Sequence, residues 1–220
     1  DIPLFVDLQM IDIERVEALL GPQGTLYGAG TLAGAIRYLP NRPDPAGFSA
    51  SAGGRLYSIN ESDGMGTDVW GVINLPLVED RLALRVAAGY VNDPGFIDYN
   101  YIVREPGVSN PNPDFDDAGD VAANLREQKD VDTEETFTGR LGLFWQVTDA
   151  VDANLTYYYQ DQQVGGRTVN QDEAFGTGRY VAASRFLEPN DKTNHLLALE
   201  LAWDLGFAEL TSATGASKFE

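Results

Sequence analysis

In the stretch LALRVAAGY, residues Leu82, Leu84, Val86, Ala88 and Tyr90 fall on one side of an extended chain, and Ala83, Arg85, Ala87 and Gly89 on the other. Successive side chains of a strand point to opposite faces, so this run has one greasy face and one small or polar face. The same rule recurs in FTGRLGLFWQV, where Phe137, Gly139, Leu141, Leu143, Trp145 and Val147 oppose Thr138, Arg140, Gly142, Phe144 and Gln146. VDANLTYYYQ sets Val151, Ala153, Leu155, Tyr157 and Tyr159 against Asp152, Asn154, Thr156, Tyr158 and Gln160, and HLLALELAWDL sets Leu197, Leu199, Leu201, Trp203 and Leu205 against Ala198, Glu200, Ala202 and Asp204. A chain obeying this period four times is constrained to a sheet whose two faces meet different surroundings.

With weaker runs at Phe48–Ile59, Val69–Leu77 and Phe207–Ser217, about seven strands are expected. Their connections alternate in length: short near Pro76–Arg81, Thr148–Ala150 and Asp204–Gly206, long near Asn60–Thr67, Asp98–Asp132 and Val164–Asp191. An up-and-down antiparallel sheet has this layout when all short turns lie at one end and all long loops at the other, as in an outer-membrane β-barrel. Several runs reach about 9–11 residues, enough for a tilted membrane-spanning strand. No stretch approaches the roughly 18 uncharged apolar residues of a spanning helix. The mean hydropathy of −0.24 is compatible with a barrel, whose alternation keeps the average low. Trp145, Trp203, Tyr90, Tyr157 and Tyr159 lie near strand ends, as an aromatic girdle requires, though a soluble sandwich also places aromatics in strands.

The first 45 residues are different. Gly21, Gly24, Gly28, Gly30 and Gly34 punctuate short apolar runs, predicting a compact, turn-rich unit rather than long helices. Pro40, Pro43 and Pro45 then interrupt regular structure and place a boundary near Asn41–Ala46. The division expected is therefore residues 1–45 and residues 46–220. A start at Asp1 without Met is read as the mark of a piece of something longer.

Composition narrows the chemistry. Among 220 residues, 34 Asp and Glu against 15 Lys and Arg give a formal charge of −19, which repels phosphate backbones and removes nucleic acid as a partner. With no cysteine and one histidine, His195, neither disulfides nor the usual Cys- or His-rich metal shells can form. The acidic run NPNPDFDDAGD contains Asp114, Asp116, Asp117 and Asp120, oxygen ligands of the kind calcium takes but without the spacing of an EF-hand loop. A solvated acidic loop is the plainer reading, and in an outward-facing loop these residues become candidate ligand or cation contacts. His195 precedes a strand and is read either as a surface hydrogen-bonding residue or as a loop-rim ligand contact. Tyr157, Tyr158, Tyr159, Gln160, Gln162 and Gln163 offer aromatic faces and amides suited to a sugar or siderophore path.

The segment DIERVEALLGPQGTLYGAGTLAGAIRYLPNRPD resembles the C-terminal half of the plug domain of TonB-dependent outer-membrane receptors. WGVINLPLVEDRLALRVAAGYVNDPGFIDY is similar to that family's first barrel hairpin. The resemblance implies a mainly β fold: the end of a plug over 1–45, followed by about the first seven strands of an up-and-down antiparallel transmembrane barrel over 46–220. It implies a Gram-negative outer-membrane location among lipids, no catalysed reaction and no cofactor. It also implies active import of a scarce nutrient, most often a small-molecule ferric siderophore, energised by the TonB–ExbB–ExbD complex through an N-terminal box outside this chain. Glu14, Glu17, Gly21, Pro22, Gly24, Tyr27, Gly28 and Gly34 carry the plug motif. Its glycines would let the chain turn inside a narrow lumen, and Glu14 and Glu17 would face Arg or Lys of the barrel wall. Leu20, Ala29 and Leu32–Ala33 depart from the family's usual residues, so a buried plug-to-barrel ion pair is expected to be missing.

Three rival readings follow from the residues. A secreted carbohydrate-binding β-sandwich with a calcium-holding acidic loop would bury Leu82, Leu84, Leu141, Leu143, Leu197 and Leu199 against a second sheet. A carboxylate-pair glycosidase would need two acids about 5–10 Å apart in one cleft. Gly28-Ala29-Gly30 with Gly34 loosely matches a dinucleotide loop, but Pro40 and Pro43 truncate the helix that such a loop needs.

Overall fold

The computed structural model describes residues 8–27, 30–171 and 178–220. In chain order the elements are β1 (Ile13–Leu20), α1 (Gly24–Tyr27), β2 (Gly34–Pro40), β3 (Ser49–Tyr57), β4 (Gly66–Val78), β5 (Leu82–Asp93), β6 (Asp98–Val103), α2 (Ala118–Asn124), β7 (Leu125–Gln128), β8 (Glu134–Thr148), β9 (Val151–Val164), β10 (Val181–Ala182), β11 (Asn190–Asp204) and β12 (Glu209–Phe219). Seven of them form one antiparallel sheet in the order β3-β4-β5-β8-β9-β11-β12. Each of these seven strands pairs with the next of the seven along the chain, and the expected seven-stranded meander is what forms. The sheet is open at β3 and β12, so it is part of a barrel wall rather than a closed barrel.

Register converts the alternation into two surfaces. Leu75, Leu84, Leu143, Leu155 and Leu199 stand opposite one another in a single row across five strands. Ile73, Val86, Leu141, Tyr157 and Leu197 make the next row. Leu141 is 45% exposed and Leu197 44%; among the described residues no second sheet covers this face. The opposite face is the buried one, yet it carries Asn74, Thr138, Arg140 and Gln160, each no more than 5% exposed. A sandwich buries its apolar rows and wets its polar ones; this sheet does the reverse.

The short connections between β4 and β5, β8 and β9, and β11 and β12 all fall at one end. Asp80 there adopts φ 58° and Gly206 φ 80°, left-handed conformations that Asp tolerates and Gly favours. Trp145 and Trp203 point outward near this end, each half exposed. Near the other end, Phe137, Tyr159 and His195 form an outward cluster, with the Tyr159 and His195 rings 5.2 Å apart. Trp203 and His195 are eight residues apart, about 26 Å along a strand. A tilt near 40° reduces that to about 20 Å of depth, close to the apolar band of an outer-membrane barrel.

The long loops hold more structure than their polar composition indicates. β6, β7 and β10 make a separate small sheet, with β10 parallel to β6. Ile97, Tyr99, Ile102, Val131 and Ala182 form a core beneath it, none more than 4% exposed. Two loops distant in sequence are thereby one packed unit. The acidic charge between Glu105 and Asp132 masks the alternation of Ile97–Val103, which is the signal that marks β6.

Candidate functional site

The polar face of the sheet is covered by the chain's own N-terminal portion. β1 and β2 form an antiparallel hairpin, and the segments on either side of it, residues 8–12 and 41–47, run against the wall as a strap. Gln9 accepts from Thr138 Oγ1 at 3.2 Å, donates its backbone N–H to Gln160 Oε1 at 2.7 Å, and accepts from the Tyr158 hydroxyl through its carbonyl. Asn74 accepts from the Asp44 N–H at 2.9 Å and donates to the carbonyls of Asp44 and Gly47.

Between these clasps lies a buried ion cluster. Arg85 donates from Nε and Nη2 to the two carboxylate oxygens of Asp12 at 2.7 and 2.6 Å, a bidentate pair. Arg140 donates to the Asp12 carbonyl at 3.1 Å, stands 3.3 Å from its carboxylate, and also donates to the Asn41 carbonyl. Asn41 completes the set, donating to Asp12 Oδ1 at 2.8 Å. The Asp12 side chain is 4% exposed, Arg140 3% and Arg85 14%. Asp12 takes φ 56° to reach both guanidiniums, a left-handed conformation that Asp adopts more readily than most residues. A buried ion cluster does join this segment to the wall, made by Asp12 on the segment and two arginines on the wall rather than by a residue at position 20. Leu20 itself is 89% exposed. Sequence reasoning missed Asp12 because its partners lie far along the chain; the signal was an isolated Arg on each of two otherwise small or neutral inner faces.

The motif residues do not face that wall. Glu17 bridges Arg15 at 2.8 Å and Arg37 at 3.0 Å, and Glu14 pairs with Arg15 at 2.8 Å, all within the β1–β2 hairpin. The hydrogen bond from Arg15 holds the Glu17 carboxyl below its ordinary range. A register shift between Ile13 and Arg15 accompanies this arrangement, in which Arg15 reaches both acids. Gly21, at φ 84°, turns the chain after β1, and its N–H donates to the Ala33 carbonyl. Pro22 follows in the turn, Gly24 opens α1, and the Tyr27 ring lies 5.8 Å from the Arg37 guanidinium. Gly28 and Ala29 lie outside the described residues. Gly34 has φ 152°, and a Cβ there would meet the Leu19 carbonyl oxygen at 2.5 Å. Gly34→Ala is expected to destabilise the hairpin by more than about 1 kcal/mol, seen as faster trypsin cleavage at Arg37 in the complete protein with the wall intact.

The pleat sorts the Tyr/Gln run. Tyr158, Gln160 and Gln162 point inward to the strap side and are buried, while Tyr157, Tyr159 and Gln163 point outward. His195 also points outward, its Nδ1 2.7 Å from the Tyr157 hydroxyl, and it joins the outer aromatic cluster. In the acidic loop, Asp117 caps α2 by accepting from Gly119 and Asp120 N–H groups. Asp120 accepts from Asp114 N–H at 2.8 Å, and Asp114 from Asp116 N–H at 3.0 Å. Asp114, Asp117 and Asp120 thus organise their own backbone, and Asp116 is exposed beside them. Among the described residues, no group of three or more His, Cys, Asp or Glu is placed to hold a metal ion.

No family model matches the chain. Solved structures do. The siderophore receptor PirA from Acinetobacter baumannii superposes with a TM-score of 0.64 at 16% identity, over 94% of this chain and 27% of that one. A mutant of the ferric enterobactin receptor PfeA from Pseudomonas aeruginosa, in complex with enterobactin, superposes with a TM-score of 0.61 at 15% identity, over 94% of this chain and 28% of that one. The fold is thus that of a segment of these two proteins, and the chain spans little more than a quarter of the length of either.

Proposed function

We propose that this chain is part of an outer-membrane receptor that actively imports a scarce nutrient, a ferric siderophore, with energy delivered through TonB. The observation that carries the reading is the inverted sheet: leucine rows exposed on one face, and on the other a buried polar face clasped by a turn-rich strap. In water the exposed rows would be an aggregation surface; against lipid they are the surface a barrel requires. Residues 1–45 are then the end of the plug and 46–220 the first part of the barrel. The open edges at β3 and β12 pair with further strands, because a membrane tolerates no unpaired sheet edge.

In this reading the long loops and the upper surface of the strap take the ligand outside the cell. Pulling by TonB then breaks the Asp12 cluster and moves the strap off the wall. No bond of the substrate is cleaved. The plug motif of Gly21, Pro22, Gly24, Tyr27, Gly28 and Gly34, with Glu14 and Glu17, shapes the hairpin that moves. Asp114, Asp116, Asp117 and Asp120 present an acidic outer surface. Uptake of radioactive iron by cells expressing the complete protein tests the proposal. Chelated iron is expected to enter only when TonB is present, and the protein to fractionate with outer membranes. Uptake unchanged in cells lacking TonB, or a water-soluble protein, would overturn it.

A further inference from the structure

Above the strap, on the side of the long loops, the inner wall forms a cleft of about 220 Å³ whose lining includes Gln9, Asp93, Glu134, Thr136, Gln160 and Gln162. Its chemistry is unbalanced. Asp93 and Glu134 stand directly opposite each other on β5 and β8, an arrangement of like charges that costs stability. The donors of the wall point at these two carboxylates: the Tyr57 hydroxyl donates to Asp93, while Thr136 Oγ1 and Gln162 Nε2 donate to Glu134 Oε1 at 3.1 and 2.7 Å. Gln162 is 7% exposed, yet its Oε1 has no hydrogen-bond partner among the described residues. A buried amide oxygen without a donor is costly to leave unmet. The neighbouring cations do not compensate: Arg55 is held by Asp68 at 3.0 Å, and Lys192, opposite Gln162 on β11, does not line the cleft.

We infer that this cleft receives a hydrogen-bond-donating arm of the imported ligand, and that the ligand is a ferric hydroxamate chelate of neutral or positive charge rather than a catecholate. The inference rests on the siderophore reading above. The cleft offers acceptors and negative charge, so it recognises an ammonium or amide N–H on an arm small enough for its volume. Three catecholates carry six negative charges against the three positive charges of ferric iron, leaving a trianion that two facing carboxylates repel. Three hydroxamates balance the iron, and a free amine on the chain makes the complex cationic.

Binding of ferrioxamine B, its N-acetylated neutral form and ferric enterobactin to the complete receptor in detergent distinguishes the cases. Ferrioxamine B is expected to bind at least about tenfold more tightly than ferric enterobactin, since its ammonium gains charge-assisted hydrogen bonds. The double variant Asp93→Asn, Glu134→Gln is expected to erase that gap and to bring ferrioxamine B level with its acetylated form. Gln162→Leu, which leaves both carboxylates in place, is expected to weaken the acetylated form about fivefold. Ferric enterobactin binding as tightly as ferrioxamine B, or a gap that survives the double variant, overturns the inference and leaves the receptor reading intact. Failure of every ferric chelate to bind overturns both.

Discussion

Replacing Asp12 with Ala in the complete protein is expected to release the strap from the wall. The variant leaves Arg140, 3% exposed, and Arg85, 14% exposed, without their carboxylate. Removing one partner of a buried ion pair costs about 3–5 kcal/mol, because the remaining charge stays desolvated and unpaired. That converts to a loss of roughly a hundredfold or more in the equilibrium between clasped and free strap. Amide exchange over residues 8–12 and 41–44 should accelerate by that factor, while exchange in β8 and β9 is unchanged. The exposed control is Glu17→Ala, whose partners Arg15 and Arg37 are 52% and 42% exposed. Pairs of this kind contribute about 1 kcal/mol or less, so its exchange should barely move. Equal effects from the two variants would remove Asp12 from its role as the principal clasp.

The second large effect is expected on the outer face. Leu141 lies midway along β8 between the two aromatic clusters, in the outward row Val86, Leu141, Tyr157 and Leu197. Leu141→Arg, four residues from both Phe137 and Trp145, should cost about 2–4 kcal/mol when the protein folds into a bilayer, the value for a cation near the hydrocarbon midplane. Thr156→Arg, one residue from Leu155 and on the other face, should cost far less, since that is the polar face of the sheet. Urea titration of the complete protein refolded in lipid vesicles measures both. A greater cost at Thr156 than at Leu141 would mean that the leucines face protein and that the membrane assignment is mistaken.

Why the sequence revealed the wall and concealed the clasp follows from the range of each interaction. The strands are written locally: period two is visible in ten residues, and Leu84, Leu143, Leu155 and Leu199 could be assigned to one face before their pairing was known. The turns were equally local, since Asp80 and Gly206 lie in short breaks between alternating runs. The clasp joins residues from three parts of the chain, and nothing near Asp12 distinguishes it from Glu14 or Glu17. Glu17 carried the motif, yet its partners proved to be Arg15 and Arg37 on its own hairpin, a pairing that a strand-by-strand reading does not anticipate. β6 was hidden for another reason: its alternation is only a few residues long and opens an acidic stretch, and its core partner Ala182 comes from a second loop.

The nearest-neighbour order of the wall has a consequence for how the molecule is assembled. Every hairpin pairs with the strand made just before it, so the wall has low contact order and can grow by successive additions. The clasp cannot form that way, because Asp12 must wait for Arg85, 73 residues later, and for Arg140, 128 residues later. The segment made before the wall is therefore among the last to settle, held off until the strands it docks on are in place.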